Sequence, residues 1–222
     1  MPDNIIEAAD IRKSYTAGGR SIKVLDGISL AVAGGEFLVV EGRSGSGKST
    51  LLSLLSGLDR PDTGRVVLAG TDITEFPEEK LAPFRNRTIG YVFQSFHLLP
   101  SLTAQENITF PAELRGDKSA VAKAERLLHR VGLAERCNNY PHQLSGGEKQ
   151  RVAICRALVN NPEVIFADEP TGNLDSANDS IILNLLLELR REHGTTLLLA
   201  THSKEIAATA DRVVHLMDGR IV

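Results

Sequence analysis

Cysteine is scarce in this 222-residue chain: Cys137 and Cys155 are its only two, 18 positions apart and outside any C-x-x-C or Cys/His ligand spacing. That excludes a disulfide or zinc framework as the organising device and makes a reducing cytoplasm the default address. Long apolar runs are missing as well. No stretch approaches the ~18 consecutive apolar residues of a membrane span, and Met1 to Glu7 lacks the basic and apolar regions of a signal peptide. There is no excess of positive charge: 25 basic against 28 acidic residues leave a net charge of -3. Nucleic-acid binding by bulk charge is thereby excluded, although a local basic patch is not. No internal repeat and no low-complexity tail stand out. What is present is 42% apolar and 24% charged residues, the composition of an ordinary globular chain long enough for one or two domains and a sizeable core.

Turn residues divide the chain into alternating elements. Ile5–Ala9 and Ile22–Val32 read as strands around the turn at Thr16 to Gly19. Phe37 to Val40 is a continuous apolar run suited to a buried parallel strand. A helix follows from Ser49 to Leu58, then strands at Arg65–Leu68 and Ile89–Phe93. From about Ser95 to Leu144 helical stretches predominate, punctuated by Pro100, Pro111 and Pro141, which reads as an inserted helical subdomain. Alternation then resumes with helix Glu148–Val159, strand Val164–Ala167, helix Ser176–His193, strand Thr196–Ala200, a short helix and strand Val213–Met217. Strands alternating with helices predict an α/β fold with a mostly parallel, helix-covered sheet.

Three motifs carry chemistry. Gly42-Arg43-Ser44-Gly45-Ser46-Gly47-Lys48-Ser49-Thr50 matches G-x-x-x-x-G-K-[ST] between a predicted strand and a predicted helix. Glycines there let backbone N–H groups converge on phosphate oxygens at the positive end of the helix. Lys48 reaches the terminal phosphates and Ser49 offers a hydroxyl to Mg²⁺; the bland reading is a flexible Gly/Ser turn. Asp168 and Glu169 end the apolar strand, where ligands gather in open α/β sheets. Asp168 suits Mg²⁺ and Glu169 suits a proton from an attacking water, against the plainer role of an acidic cap before Pro170. Ser145-Gly146-Gly147-Glu148 opens another helix and is either a second anion site or simply a capping box.

With these motifs in this order, the chain resembles the ATP-binding subunits of ABC transporters over essentially all 222 residues. The resemblance implies a P-loop, RecA-like parallel core with an antiparallel β subdomain (1–94 and 151–222) and a helical subdomain carrying the signature motif (95–150), all within one ATPase domain. It implies that Tyr15 stacks on adenine, that Gln94 senses Mg²⁺ and the attacking water, and that His202 is the switch histidine. It assigns Ser145, Gly146 and Gly147 to the signature and Asp175, with Asn173 and Leu174, to the D-loop. It implies a homodimer with ATP, coordinated with Mg²⁺, at the interface, and integral membrane permease subunits as partners at the inner face of the cell membrane. Nucleic acid is not among the expected partners. Phe93 to Pro100 and the run F-A-D-E-P-T-G-N-L-D from Phe166 to Asp175 look like the lipoprotein-release and macrolide-exporter branch. An importer subunit or a soluble, non-transport ATPase of the same family remains the alternative.

Two finer expectations follow. The apolar mix Phe96, His97, Leu98 and Leu99 within Gln94 to Leu114 is expected to meet the membrane partner. Glu41 and Arg43 flank Gly42 and depart from the family pattern. Because a lone carboxylate at the end of a buried strand costs several kcal/mol, these two are expected to pair with each other.

Overall fold

The computed structural model describes residues 4–172 and 176–222. Strands β1 (Asn4–Ala17) and β2 (Arg20–Ala33) form a long antiparallel hairpin whose turn, Gly18-Gly19, lies in the left-handed region open to glycine. β3 (Phe37–Glu41) is the buried apolar run, and α1 (Lys48–Leu55) buries Leu51, Leu52, Leu54 and Leu55. β4 (Thr63–Leu68) and β5 (Thr71–Asp72) lead to α2 (Glu78–Thr88) and β6 (Ile89–Val92). The periodicity gave no sign of α2, which contains Pro83; its acidic first turn and basic last turn match the helix dipole instead.

α3 (Ala104–Glu113) is started by a capping box between Thr103 and Glu106. Pro111, one of the prolines that punctuate the helical stretches, sits inside its last turn, where one missing N–H costs a single bond and not the element. α4 (Ala120–Arg130) and two short 3₁₀ turns precede α5 (Gly146–Leu158), which runs through the expected boundary at 150. One side of α5 (Val152, Cys155) packs with α3 and α4 around Ile108, Ala124 and Leu128, while Ile154 and Ala157 pack on the central sheet. β7 (Val164–Asp168), α6 (Ser176–His193), β8 (Thr196–Thr201), α7 (Lys204–Ala207), β9 (Arg212–Met217) and β10 (Arg220–Ile221) complete the chain.

The strands form a four-stranded antiparallel sheet in the order β2-β1-β4-β5 and a six-stranded sheet in the order β10-β9-β3-β8-β7-β6, parallel except for β10. Strand alternation sorts the central sheet's side chains. Leu38, Val40, Phe166 and Leu198 join α1 and the antiparallel sheet in one core. Phe37, Val39, Ile165 and Leu199 face Ile154, Ile182, Leu186 and Ile206 in another. β8 lies between β3 and β7, with Glu41 opposite Thr201 and Asp168 opposite Ala200. The carboxyl ends of three neighbouring strands thus present the glycine-rich loop, the two carboxylates and His202 at one edge.

Candidate functional site

The phosphate loop is shaped from behind. Gly47 is the N-cap of α1 at φ 104, and no side chain caps the helix, so its first-turn amides remain for a ligand. A Cβ at Gly42 would lie 2.5 Å from both Leu216 O and Ser46 Oγ; one at Gly47 would lie 2.8 Å from Leu25 Cδ2 and 3.0 Å from Val24 O. The Gly219 amide also donates to Ser46 O at 3.2 Å. β2 and the β9–β10 turn therefore hold the loop in a form that only glycine permits. Arg43, Ser44, Gly45 and Ser49 are exposed, Thr50 is half-buried, and Ser46 is buried with its Oγ lacking a hydrogen-bond partner.

Lys48 is almost wholly buried, its side chain 4% exposed. Its ammonium donates to Gly42 O at 2.9 Å and Arg43 O at 3.2 Å and pairs with Glu169 Oε1 at 3.2 Å, which engages all three N–H groups. The other oxygen of Glu169, Oε2, lies 3.2 Å from His202 Nδ1. Glu169 holds φ 43, a conformation that costs a non-glycine residue about 1–3 kcal/mol, and its amide is bonded to Ala200 O at 2.9 Å. Gln94 reaches the same place. The point that a Cβ on Gly172 would occupy is 2.9 Å from Gln94 Nε2 and 3.4 Å from Glu169 Oε2.

Burial pushes the Asp168 carboxyl above its ordinary value, and the charge of Glu169 adds to this, while the Ser49 hydroxyl and Lys48 pull it back. Its Oδ1 is buried without a hydrogen-bond partner. A carboxylate so short of positive charge, beside a hydroxyl and the phosphate loop, fits a hard divalent cation such as Mg²⁺.

Tyr15 stands beside the first turn of α1, 42% exposed, its hydroxyl donating to Asp59 Oδ2 at 2.7 Å and lying against the Thr50 hydroxyl. Burial and the Asp59 carboxylate push its pKa up to about 12. Ser145 caps α5: its Oγ accepts from the Glu148 amide at 3.3 Å, and Glu148 Oε2 accepts from the Ser145 amide at 2.7 Å. Gly146 and Gly147 form the first turn behind it. Among the described residues no hydrogen bond or ion pair joins Ser145–Glu148 to the phosphate loop. Asp175, with Asn173 and Leu174, lies outside the described residues.

One sequence expectation needs correction. Glu41 does not pair with Arg43: its Oε2 lies 3.4 Å from His215 Nδ1 on β9, the strand that neighbours β3 in register, while Arg43 points outward. In the stretch expected to meet a membrane partner, Leu98 is partly buried against the helical core and Leu99 is 40% exposed. The closures made by Leu216, Gly219 and Val24 were not legible in sequence, because they join segments far apart in the chain.

A family model described as ABC transporter matches residues 25–172. The chain belongs to this family. As an ABC cassette it is 46% identical to the lipoprotein-releasing system ATP-binding protein LolD of Syntrophus aciditrophicus, over 98% of this chain and 99% of that protein. It is 47% identical to the macrolide export ATP-binding/permease protein MacB of Syntrophobacter fumaroxidans over 98% of its own length. It spans 31% of the MacB protein. The dimeric, post-hydrolysis structure of the ATP-binding cassette MJ0796 with ADP and Pi superposes with a TM-score of 0.91 at 37% identity, over 97% of this chain and 96% of that one. The expected P-loop core with antiparallel and helical additions is therefore the fold of this cassette.

Proposed function

We propose that the chain is the ATP-binding and ATP-hydrolysing subunit of a membrane transport complex, of the export or lipoprotein-release type, working as a homodimer with ATP between the subunits. One observation carries the reading: Glu169 is clasped between Lys48 and His202 at the mouth of a phosphate loop, while the second anion site, at Ser145, stands apart from it on the same chain. A single chain thus holds the base and one half of the phosphate site. A second copy supplies Ser145, Gly146 and Gly147, and the closed sandwich excludes water and strengthens every charge–dipole interaction inside.

The loop amides and Lys48 bind the phosphates. A phosphate that Lys48 reaches replaces one of its three acceptors, and the release of Glu169 leaves Oε1 open to take a proton from water. His202 orients Glu169 through Oε2, and Gln94, beside Glu169, positions the attacking water. Ser49, Asp168 and Gln94 are the residues that would hold Mg²⁺, whose chemistry there is to offset negative charge on the phosphate oxygens. Tyr15 is the platform for the base.

Among the described residues no helix is long and apolar enough to cross a membrane; integral membrane permease subunits at the inner face of the cell membrane are the partners this reading assigns. The exposed apolar side chains Leu99, Phe110 and Leu114 of the helical insertion are the surface proposed to meet them. The test is recovery of the chain from a detergent extract together with whatever it binds, and assay of ATP hydrolysis. A permease subunit with a large extracytoplasmic domain, and hydrolysis lost on Glu169→Gln, are the expected results. A co-purifying substrate-binding protein would move the reading to import, and absence of ATP hydrolysis would end it.

A further inference from the structure

We propose that Asp59 is a positioning residue that turns Tyr15 into a one-faced platform for the nucleotide base, with Lys13 covering the ring's other face. The inference rests on the reading of Tyr15 as the base platform and goes beyond it to what makes the platform rigid and one-sided.

An exposed tyrosine at a strand end is free to turn about two side-chain bonds, and ordering it on binding costs affinity. Here that ordering is already present. The Tyr15 hydroxyl donates to Asp59 Oδ2 at 2.7 Å, and the Thr50 hydroxyl lies against the same phenolic oxygen. The Lys13 ammonium lies over the ring, 5.1 Å from its centroid, a favourable cation–π placement. Lys13 is itself fixed, since its ammonium bonds Asp59 Oδ1 at 2.9 Å and Arg60 O at 2.6 Å, and its side chain is 11% exposed. Asp59 therefore uses one oxygen to hold the edge of the ring and the other to hold the cation on its face. A base then has one face left to stack on.

Asp59 is anchored in turn. Its amide donates to Ser53 O in α1 at 3.1 Å, and the Arg60 amide donates to its Oδ1 at 2.7 Å. The Tyr15 and Lys13 bonds hold its carboxyl below the ordinary value although burial opposes them, so it is ionised and accepts from both at neutral pH. The strand backbone is tied to the same turn, with the Ser14 amide donating to Asp62 Oδ2 at 2.7 Å and the Asp62 amide to Arg12 O at 2.8 Å. α1 thus carries the phosphate loop at its start, with Thr50 of its first turn beside the Tyr15 hydroxyl, and holds Asp59 through Ser53 O, so that the loop and the base platform are tied to one helix.

The test compares a ligand that has a base with one that does not. Dissociation constants are measured by calorimetry for ADP, and by displacement of a fluorescent ADP for inorganic pyrophosphate, on the full chain and its variants. Asp59→Ala is expected to weaken ADP about five- to tenfold, roughly the worth of part of a base–aromatic stack, and to leave pyrophosphate within twofold. Asp59→Asn, which keeps an acceptor for the Tyr15 hydroxyl, should lose less. Tyr15→Phe should weaken ADP alone, and add less in the Asp59→Ala background than in the parent. Equal losses for ADP and pyrophosphate would reduce Asp59 to a structural residue and overturn the proposal, as would unchanged ADP binding in both Asp59→Asn and Tyr15→Phe. Should Asp59→Ala not fold, those two variants decide the matter. A parent that binds ADP no better than pyrophosphate would instead remove the base-platform reading itself.

Discussion

Helices α1 and α5 both open on glycine-rich turns with an N-terminal dipole, yet they are finished differently. α1 begins at Gly47 without a side-chain cap, and its first amides open onto a loop walled by Val24, Leu25 and Leu216. α5 begins with a closed capping box, in which Ser145 and Glu148 satisfy each other's amides. The uncapped helix needs an anion, and beside it stand Lys48, Asp168 and Glu169. The capped helix already has two of its amides satisfied, and Glu148 places a carboxylate near its start. What remains there for a phosphate is the hydroxyl proton of Ser145, since its oxygen is used as an acceptor, and the first-turn glycines. The difference teaches that the first end can capture a nucleotide in a single chain, whereas the second can only add to a phosphate already held.

The largest expected effect lies at the first end. Glu169→Gln keeps the size of the side chain and removes the base. Turnover should fall about 10²–10⁴-fold, the usual worth of a positioned general base, while ATP still binds and the ATP-bound dimer accumulates. Single-turnover hydrolysis and gel filtration with ATP measure both. Hydrolysis at the parent rate would move the chemistry away from α1 and break the comparison at its root.

Next comes the loop itself. Gly47→Ala puts an L side chain at φ 104 and a Cβ 3.0 Å from the backbone oxygen of Val24. Strain of about 1–3 kcal/mol should weaken ADP binding about ten- to hundredfold. Gly146→Ala, at a helical position in α5, should leave single-chain ADP affinity unchanged. Equal losses in the two variants would mean that both helix ends bind nucleotide in one chain.

How far the two ends were legible follows from how local they are. The loop at Gly42 to Thr50 and the carboxylates after Phe166-Ala167 are written in consecutive residues, and the strand order then brings them together. β1 was seen only as Ile5–Ala9, because Asp10 takes φ 47 at an irregularity in the ladder and the alternation lapses there. α2 was hidden by Pro83 and a charged sequence. The partner of Glu41 was misassigned to its sequence neighbour Arg43, because His215 approaches only when β9 docks beside β3. Leu98 and Leu99 look alike in sequence and differ in burial, a difference set by packing against α3, α4 and α5 that consecutive residues do not reveal. Lys13 and Asp59 gave no motif at all.

Ser145 separates cap from phosphate ligand. Ser145→Ala should cost about 1 kcal/mol of stability as a lost N-cap and lower hydrolysis, which needs the dimer, while single-chain ADP binding is unchanged. Ser145→Asp keeps a capping oxygen and places negative charge where a phosphate must come. Its thermal midpoint should stay near the parent's and its hydrolysis should be lost. Full hydrolysis by Ser145→Asp would leave α5 as a capped helix and nothing more.

The smallest effect concerns the partner that completes that cap. The Ser145 amide donating to Glu148 holds its carboxyl below the ordinary value, against a burial effect, with help from the Ser145 hydroxyl, Arg136 and Arg151; Arg136 Nε lies 3.6 Å away. A folded value below the unfolded one means that the stabilisation is complete above the unfolded value and is lost as pH falls through the folded one. Glu148→Gln can keep the geometry of the box but does not titrate. The thermal midpoint of the parent should therefore exceed that of Glu148→Gln near pH 7, and the gap should close as the pH is lowered through and below the ordinary carboxylate range. α1, which has no acidic residue in its first turn, has no such titration of its own cap. A gap that stays constant across that range would show that Glu148 acts by shape and not by charge, and the contrast between the two helix ends would then rest on the hydroxyl of Ser145 alone.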